Sequence, residues 1–466
     1  MEQINHFIWT YLFLPLFLLC GAWLTWRCGF LQFRRFSLAM RETVGRAFGK
    51  QKPDTGSLTP LQAASTALAA TVGTGNIVGT AQAIAMGGPG AVFWLWAAAL
   101  LGMAIKYAEI FLGVQYRRFD RENRPVGGPM YYIRSLGRSF APLAAAYAAL
   151  AALSSLSMGN MSQINSSVSA IAGAVQSFYP LSGNERFLLR LALGLALALT
   201  TAAIIAGDAK RVGRATELLV PFMGLIFLGL TAIVIACHGQ RLLPALCWIV
   251  HDAFTPRAAL GAAGGITLRE AIHWGIRRGA FSNEAGLGSA AIAHASAETD
   301  SPVEHGLWGI FEVFADTIVI CTATALTILC SGIDIPWGSI PGPELLGTAF
   351  ATVFGTKWAS IILAASLSLF AFSTVIGCSV YGLRCVEYLL GEAAGGIYRI
   401  FYVICALLGS IMSTNFVWAA SDTVNALMAV PNFIALFALS GRVSSAVNGH
   451  FFSSSKYNTN PRKHVS

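Results

Sequence analysis

Long hydrophobic runs separated by short polar segments make up almost the whole chain. Each run covers about 20 residues or more, which is enough for a helix to cross a hydrocarbon layer of ~30 Å. The pattern predicts about eleven spans. They are 7–26, 60–86, 91–115, 141–172, 187–206, 215–237, 279–296, 305–330, 357–381, 396–412 and 415–440. The pattern therefore predicts an all-α polytopic membrane protein.

Two further segments mix apolar and polar residues too closely for a span. Residues 264–278 read GGITLREAIHWGIRR, in which charges interrupt the isoleucines. This pattern predicts an amphipathic helix at the outer membrane surface, before the seventh span. Residues 343–354, PELLGTAFATVF, predict a counterpart before the ninth span.

Two predicted spans carry signals that stop a helix. Residues 71–79 read TVGTGNIVG within the second span, and 281–295 read FSNEAGLGSAAIAHA within the seventh. Irregular backbone is tolerated inside a bilayer only where it lines a protein cavity or meets a ligand. Broken helices are therefore predicted at both places. A close helix contact of the Gly-x-x-x-Gly type, at Gly75 and Gly79, is the alternative.

The two breaks divide the chain into repeats. Each break opens a set of five spans, 60–237 and 279–440, and an odd number gives the two sets opposite orientations in the membrane. Residues 7–26 then form an extra helix, and 1–440 a single transmembrane domain. Paired interrupted helices in inverted repeats indicate the binding site of a secondary transporter.

Charge placement predicts the orientation. Of the 31 Lys and Arg residues, 22 fall in the loops and tail that are inside if the N-terminus is outside, and 8 fall in the opposite segments. The excess predicts an outer N-terminus and a cytoplasmic C-terminus. The polar residues 441–466 predict a disordered cytoplasmic tail. Because the positive charges lie between apolar runs, the net charge of +9 does not indicate nucleic acid as a partner.

Several function classes lack the residues they need. The nine cysteines contain no C-x-x-C pair, so neither a disulfide framework nor a zinc site is indicated, and no cofactor is expected. No H-E-x-x-H or G-x-S-x-G motif indicates an enzyme. A channel requires a continuous polar lining or a ring of charges. The polar residues here cluster at one depth instead, so a channel is the weaker alternative to a transporter.

The first break offers opposite partial charges to a ligand. Unwinding at Gly73 to Asn76 frees amides at the start of one half-helix and carbonyls at the end of the other. The amides suit a carboxylate and the carbonyls suit an ammonium group or Na⁺. A zwitterionic amino acid fits both. No charged side chain is needed for this recognition.

Polar residues in two other spans point to the same depth. Gln163, in the string MGNMSQINSS, is the strongest ligand candidate in the fourth span, with Asn160 three residues earlier. Hydrogen bonding between helices is the alternative role. In the ninth span, Ser373 and Thr374 with the Phe370 carbonyl would make a sodium cage. Hydroxyl bonds to the helix's own backbone are the alternative there.

Five strings together resemble one known family. They are TVGTGNIVGTAQAIAMGGPGAVFWLW, GGPMYYI, GNMSQINS, FSNEAGLGSAAIAHA and LMAVPNFIALFALSG. The resemblance, over about 25–440, is to the alanine or glycine:cation symporter (sodium:alanine symporter) family. It implies a leucine-transporter-type fold with five-plus-five inverted repeats after one extra helix. It also implies import of small neutral amino acids with Na⁺, or alternatively H⁺, across a prokaryotic cytoplasmic membrane, without an obligatory protein partner.

The resemblance also implies which residues bind. The substrate carboxylate would face the amides of Thr74, Gly75 and Asn76. The ammonium group would face carbonyls near Thr71 and at Phe281 and Ser282, with Gln163 nearby. Sodium would lie between carbonyls of Ala69, Val72 and Phe370 and the hydroxyls of Ser373 and Thr374.

One departure from the family pattern concerns pocket size. After STVIG the family usually has a tryptophan, whereas this chain has Cys378. Losing an indole would enlarge the pocket, so we expect substrates larger than alanine, such as serine or glutamine. Two further expectations are that Glu284 has a structural or gating role, and that Lys106 and Glu109, three residues apart, pair with each other.

Overall fold

The computed structural model describes residues 2–47, 57–207, 209–255 and 267–452, and they are almost entirely helical. Among the described residues, nine helices are long and apolar enough to cross a membrane. They are Asn5–Arg27, Gly90–Gln115, Arg138–Gln176, Gly183–Ile205, Ala209–Cys237, Pro302–Ser331, Thr356–Leu390, Ala394–Ile411 and Phe416–Phe452. The predicted all-α membrane fold is confirmed, while the number of crossings stays a prediction.

The second predicted span is a broken helix, here called the first broken helix. It consists of Pro60–Thr71, a π-helical turn Gly75–Gly79 and Thr80–Gly87. Its start is fixed by sequence, because Thr59 and Gln62 form a capping box ahead of Pro60. Val72, with a ψ of 88°, turns the backbone out of the helix one residue before the first predicted glycine.

The seventh predicted span is the second broken helix, formed by Leu268–Asn283 and Ser289–Ala295. Between them Glu284, Gly286 and Gly288 all have positive φ angles, of 55°, 94° and 75°. Glycine adopts this backbone region without the steric cost that a Cβ brings, which explains the G-L-G string. Both predicted breaks are therefore present.

The predicted surface helix at 264–278 is wrong in this form. Residues 264–266 lie outside the described residues, and from Leu268 the chain is one helix that runs directly to Asn283 with its last ten residues buried. Small residues allow it to approach helix 90–115. A Cβ on Gly275 would lie 2.7 Å from Trp94 Cβ, and one on Gly279 would lie 3.0 Å from Ala98 Cβ. The segment predicted at 343–354 is a separate helix, Glu344–Phe354.

The predicted tail is also corrected. The last helix, Thr414–Val447, continues past Ser440 into a π turn, Asn448–Phe452, while 453–466 lie outside the described residues. Val443, Val447 and Phe451 recur every four residues and are buried. The mean composition of residues 441–466 is polar and therefore did not show this apolar stripe. The stripe packs onto the N-terminal part of the chain. The division into repeats 60–237 and 279–440 is not tested.

Shorter elements connect the long helices. The shorter helices include Leu31–Arg34, Phe36–Ala47, Pro129–Arg134 and Leu242–Asp252. A small antiparallel hairpin pairs Arg118–Phe119 with Pro125–Val126. A large apolar cluster joins helices 5–27, 90–115 and 414–447 around the second broken helix, and a second cluster surrounds the first broken helix. Both breaks therefore lie in the interior.

Candidate functional site

The backbone at the first break is held by two side-chain amides. Gly73 N–H donates to Asn76 Oδ1 at 2.9 Å, which closes the loop on itself. Gln163 Oε1 accepts from the Thr74 hydroxyl at 3.0 Å and from the Thr74 amide at 3.4 Å. Asn160, in contrast, donates to the Tyr402 carbonyl and so links two helices. Of this pair, it is Gln163 that bonds to the break.

The two broken helices meet at Gly75. A Cβ on Gly75 would lie 3.5 Å from the Phe281 ring and 3.8 Å from Ser282 Cα. Phe281 and Ser282 are 3% and 2% exposed. The residues predicted to face the two ends of an amino acid are thus neighbours in a closed interior.

Asp316 joins the two broken helices and was missed at the sequence level. Its Oδ1 accepts from Asn76 Nδ2 at 2.7 Å, and its Oδ2 accepts from Ser282 Oγ at 2.9 Å and Thr317 Oγ1 at 2.8 Å. Asp316 is fully buried on a π-helical segment, Phe314–Cys321. Such segments often occur at functional sites.

The hydrogen-bond partners of the Asp316 carboxyl group are dipoles. Within the described part of the chain its carboxylate forms no ion pair, and the recorded partners are an amide and two hydroxyls. A signal was present in the sequence, because an acidic residue interrupts the apolar string FADTIVIC, and acids within membrane spans are functional by default. Its partners are remote in sequence, so the string alone did not show what it binds.

Oxygen atoms predicted to hold sodium lie together next to the first break. Ser373 Oγ donates to the Phe370 carbonyl at 2.8 Å and approaches the Ala69 carbonyl at 3.4 Å. Thr374 Oγ1 donates to the same Phe370 carbonyl at 3.0 Å, so both hydroxyls make the bonds to their own helix backbone that were the alternative to a sodium cage, and their role in holding sodium stays a prediction. A Cβ on Gly73 would lie 2.6 Å from Thr374 Oγ1. This set of neutral oxygens from two helices, one of them broken, suits an alkali cation. Val72 is buried at the end of the same half-helix.

Lys106 and Glu109 do not pair with each other, contrary to the expectation. Lys106 Nζ donates to the Asn283 carbonyl at 2.7 Å, at the end of one half of the second broken helix. Glu109 Oε1 accepts from the amides of Gly286 at 2.9 Å and Gly288 at 3.0 Å, ahead of the other half. The cation thus meets the negative end of a helix dipole and the anion the positive end. Charged side chains thus bond directly to the backbone of the second break, whereas the Asp316 carboxylate reaches the first break through the Asn76 side chain.

Further buried polar groups support this arrangement. Lys106 lies 3.7 Å from Glu312, whose other oxygen is 2.5 Å from His294 Nε2. Glu284 Oε2 accepts from Ser289 Oγ at 2.5 Å, at the start of the following half-helix. This bond agrees with a structural role for Glu284.

Cys378 lies one helical turn after Thr374. It packs against Gly159 and lines a small cavity with Met158, Glu284 and Tyr381. Cys378 is therefore next to the second break, and its effect on substrate size stays a prediction.

Comparison with known proteins decides the family. The sequence model of the sodium:alanine symporter family matches residues 1–465. The chain belongs to the sodium:alanine symporter family. The sodium/alanine symporter AgcS of Methanococcus maripaludis is 40% identical over 455 residues, which cover 96% of this chain and 95% of that protein. The probable sodium/glutamine symporter GlnT of Bacillus subtilis is 36% identical over 447 residues, covering 96% and 89%.

A solved structure confirms the fold of this symporter-family member. The crystal structure of MhsT in complex with L-phenylalanine superimposes with a TM-score of 0.60 at 14% identity, covering 86% of this chain and 94% of that one. At this identity the likeness shows the leucine-transporter-type fold alone. The predictions of a transporter rather than an enzyme, and of a multi-pass membrane protein, are confirmed by family membership.

Proposed function

We propose that the protein imports small neutral amino acids with Na⁺ by alternating access. Alanine and glycine are the primary substrates, and serine or glutamine are further candidates. The main support is the convergence of the Ala69 and Phe370 carbonyls with the Ser373 and Thr374 hydroxyls beside Gly73. Binding of Na⁺ there would act directly on the backbone that we expect to bind substrate.

The coupling follows from that neighbourhood. Na⁺ held by Ala69, Val72, Phe370, Ser373 and Thr374 ties helix 356–390 to the first broken helix. This contact holds the half-helix that ends at Thr71 and fixes the direction of the freed amides. A substrate carboxylate then meets preorganised donors, and thermodynamic linkage requires substrate to tighten Na⁺ binding by the same factor.

The substrate would lie between the two breaks. Its carboxylate faces the amides of Thr74, Gly75 and Asn76. Its ammonium group faces the carbonyls near Thr71 and at Phe281 and Ser282. Two of these amides already have protein acceptors, since the Thr74 amide donates to Gln163 Oε1 at 3.4 Å and the Asn76 amide to the Gly73 carbonyl at 3.3 Å. A bound carboxylate would replace these long hydrogen bonds. The cycle needs no cofactor besides the coupling ion.

The names of two relatives indicate which amino acids to test as substrates. AgcS is described as a sodium/alanine symporter and GlnT as a probable sodium/glutamine symporter. Both names give Na⁺ as the ion, and the two amino acids differ in size. Cys378, where the family usually has tryptophan, leads us to expect that glutamine competes in this protein.

Uptake by proteoliposomes tests the proposal. Labelled alanine is supplied under an inward Na⁺ gradient, with choline in place of Na⁺ as the control, and unlabelled glycine, serine, glutamine and D-alanine as competitors. We expect accumulation with Na⁺ only, and acceleration by alanine preloaded inside. Accumulation that persists in choline and follows a pH gradient would identify H⁺ as the coupling ion. Flux without accelerated exchange would indicate a channel.

Intact cells test the orientation that we propose, in a cytoplasmic membrane with the N-terminus outside and the C-terminus inside. In a variant whose nine native cysteines are replaced, labelling of a cysteine introduced at Asn123, in the exposed hairpin turn, should require access from the cytoplasmic side.

A further inference from the structure

A buried arginine near the two breaks lacks partners for part of its guanidinium group. Arg278 is 6% exposed, and its Nε and Nη1 atoms have no hydrogen-bond partner among the described residues. An arginine stays protonated in proteins. A buried charge without a partner is costly, so intramembrane arginines normally pair or serve a transported species.

The acid beside these arginines, Asp422, forms its ion pair with Arg277 and not with Arg278. Asp422 Oδ2 lies 3.0 Å from Arg277 Nη2, and Arg277 also lies over the Trp9 ring. Arg278 is adjacent to that pair in sequence and forms no ion pair within the described ranges. The side chains of Arg277, Arg278 and Asp422 together carry one excess positive charge. A histidine cannot carry a negative charge, so the neighbouring His273 does not compensate it.

Aromatic rings hold the Arg278 guanidinium in place. Its Cζ is 5.4 Å from the Trp274 ring centroid and 5.6 Å from the Phe281 ring centroid. Ring faces attract cations but do not use the in-plane N–H groups. The orientation is therefore set while the edge of the guanidinium remains free to donate.

The position of Arg278 relates it to both broken helices. It is on the second one, three residues before Phe281, and its Cδ lies 3.6 Å from where a Cβ on Gly79 would be. Gly79 is about one helical turn beyond Gly75 on the first broken helix. Arg278 thus touches the outer half of the first broken helix, whose first amides we propose to bind the substrate carboxylate. The contact lies about one turn closer to the membrane face that we propose to be external.

We propose that Arg278 is a second anion-binding group on the substrate route, which receives the amino acid's α-carboxylate before the amides of residues 74–76 take it over. This inference rests on the proposed function. A guanidinium edge can hold a carboxylate through two parallel hydrogen bonds. The passing substrate would supply a second negative charge beside two arginines for which the described residues provide one, that of Asp422.

The step predicts a kinetic effect rather than an equilibrium one. Arg278 would bind the carboxylate only in transit, so its loss slows association and leaves the affinity of the final site nearly unchanged. Charge-driven capture raises association rates by about 10-fold to 1,000-fold. We expect the association rate of alanine to fall roughly tenfold or more in Arg278→Gln, and Arg278→Lys to recover part of it.

The experiment measures binding and uptake with the purified full-length protein in Na⁺. Stopped-flow tryptophan fluorescence gives association rates of alanine, and equilibrium dialysis of labelled alanine gives Kd. Lys357→Gln is the matched control, because Lys357 is also a cation over an aromatic ring, that of Phe178, but is exposed. We expect the control to keep the wild-type association rate.

Two further arms identify the anion. Propionate, which has the carboxylate but no ammonium group, should slow alanine association in the wild type and have no effect in Arg278→Gln. Replacement of chloride by isethionate, a bulky sulfonate without a carboxylate, should change nothing if the anion is the substrate's own carboxylate. Loss of association in isethionate would assign the site to chloride and overturn the inference.

The outcomes separate this inference from the function on which it rests. A wild-type protein that binds and transports no amino acid defeats the proposed function, and the inference with it. A transporting protein whose Arg278→Gln variant associates as fast as wild type defeats the inference alone. A variant with a Kd weakened as much as its rate would place Arg278 in the final site instead and also overturn it. If Arg278→Gln does not fold, Arg278→Lys and the propionate arm on the wild type decide.

Discussion

Asn76 and Asp316 are hydrogen bonded although 240 residues separate them, with Asn76 Nδ2 2.7 Å from Asp316 Oδ1. The same Asn76 side chain accepts from Gly73 N–H through its oxygen. Asp316 in turn accepts from Ser282 on the second broken helix. One amide and one carboxylate thus connect both breaks to helix 302–331, and a movement of either break must affect the other.

The charge on Asp316 should therefore be required for transport. Asp316→Asn keeps the shape but replaces a charge-assisted acceptor by a weaker one and adds a donor facing Asn76. Hydrogen bonds to charged groups contribute about 1.5–3 kcal/mol. We expect uptake of labelled alanine to fall roughly tenfold or more, with the purified protein still folded. Asp334→Asn, exposed just beyond the end of the same helix, is the control. Wild-type uptake by Asp316→Asn would contradict the connecting role.

A methyl group at the first break should strongly reduce uptake. A Cβ on Gly73 would lie 2.6 Å from Thr374 Oγ1 and 3.4 Å from Gln163 Oε1, so Gly73→Ala must displace the hydroxyl that we assign to sodium. We expect at least a tenfold loss of Na⁺-driven uptake, of the order found when a mutation perturbs a packed interior by about 1–3 kcal/mol. Gly224→Ala is the matched control, because among the described residues no atom beyond its own stretch of helix lies within 4 Å of its Cβ position. Equal uptake by both variants would show that the backbone at the first break does not bind substrate or sodium.

Removal of one hydroxyl should weaken sodium more than substrate. Ser373→Ala deletes the oxygen that approaches both the Phe370 and Ala69 carbonyls. We expect the Na⁺ concentration for half-maximal uptake to rise roughly tenfold, as for the loss of one interaction of about 1.4 kcal/mol. Ser379→Ala serves as the control, since Ser379 donates to Ile376 within its own helix. An unchanged Na⁺ dependence in Ser373→Ala would mean that the ion binds elsewhere.

The second break should depend on Glu109 for stability. Glu109→Ala leaves the Gly286 and Gly288 amides and Asn432 Nδ2 without their shared acceptor. Each buried donor left unpaired costs about 1–3 kcal/mol, so the thermal unfolding temperature of the detergent-solubilised protein should fall. Glu109→Gln retains one oxygen acceptor and should lose less. A Glu109→Ala protein with the wild-type unfolding temperature would show that this carboxylate does not hold the break.

Much of the site was readable from the sequence because its signals are local. The glycines at 73, 75, 286 and 288 stop helices through their own backbone freedom, so both breaks were predicted to within a residue or two. The hydroxyls of Ser373 and Thr374 were placed correctly relative to Phe370, since all three lie within about one helical turn. Their roles in binding substrate and sodium stay predictions.

The missed features depend on partners that are distant along the chain. Hydropathy averages over a span, so it passed over Asp316 in an apolar string. Lys106 and Glu109 look like a local pair at a spacing of three, yet their partners lie 177 and more residues away on the second broken helix. Arg277, counted as part of a surface helix, is buried with Asp422.

The sequence by itself determined that this is a helical membrane protein with two helices interrupted at specific glycines, and its motifs carried the resemblance to a symporter family. The helices and their interruptions follow from hydrophobicity and backbone sterics, which act over a few residues. Only the tertiary structure decided which charges hold the second break, which carboxylate joins the two breaks, and which arginine remains without a full set of partners. Each of these depends on the direction in which a buried polar group points, and that direction is fixed only when distant helices pack together.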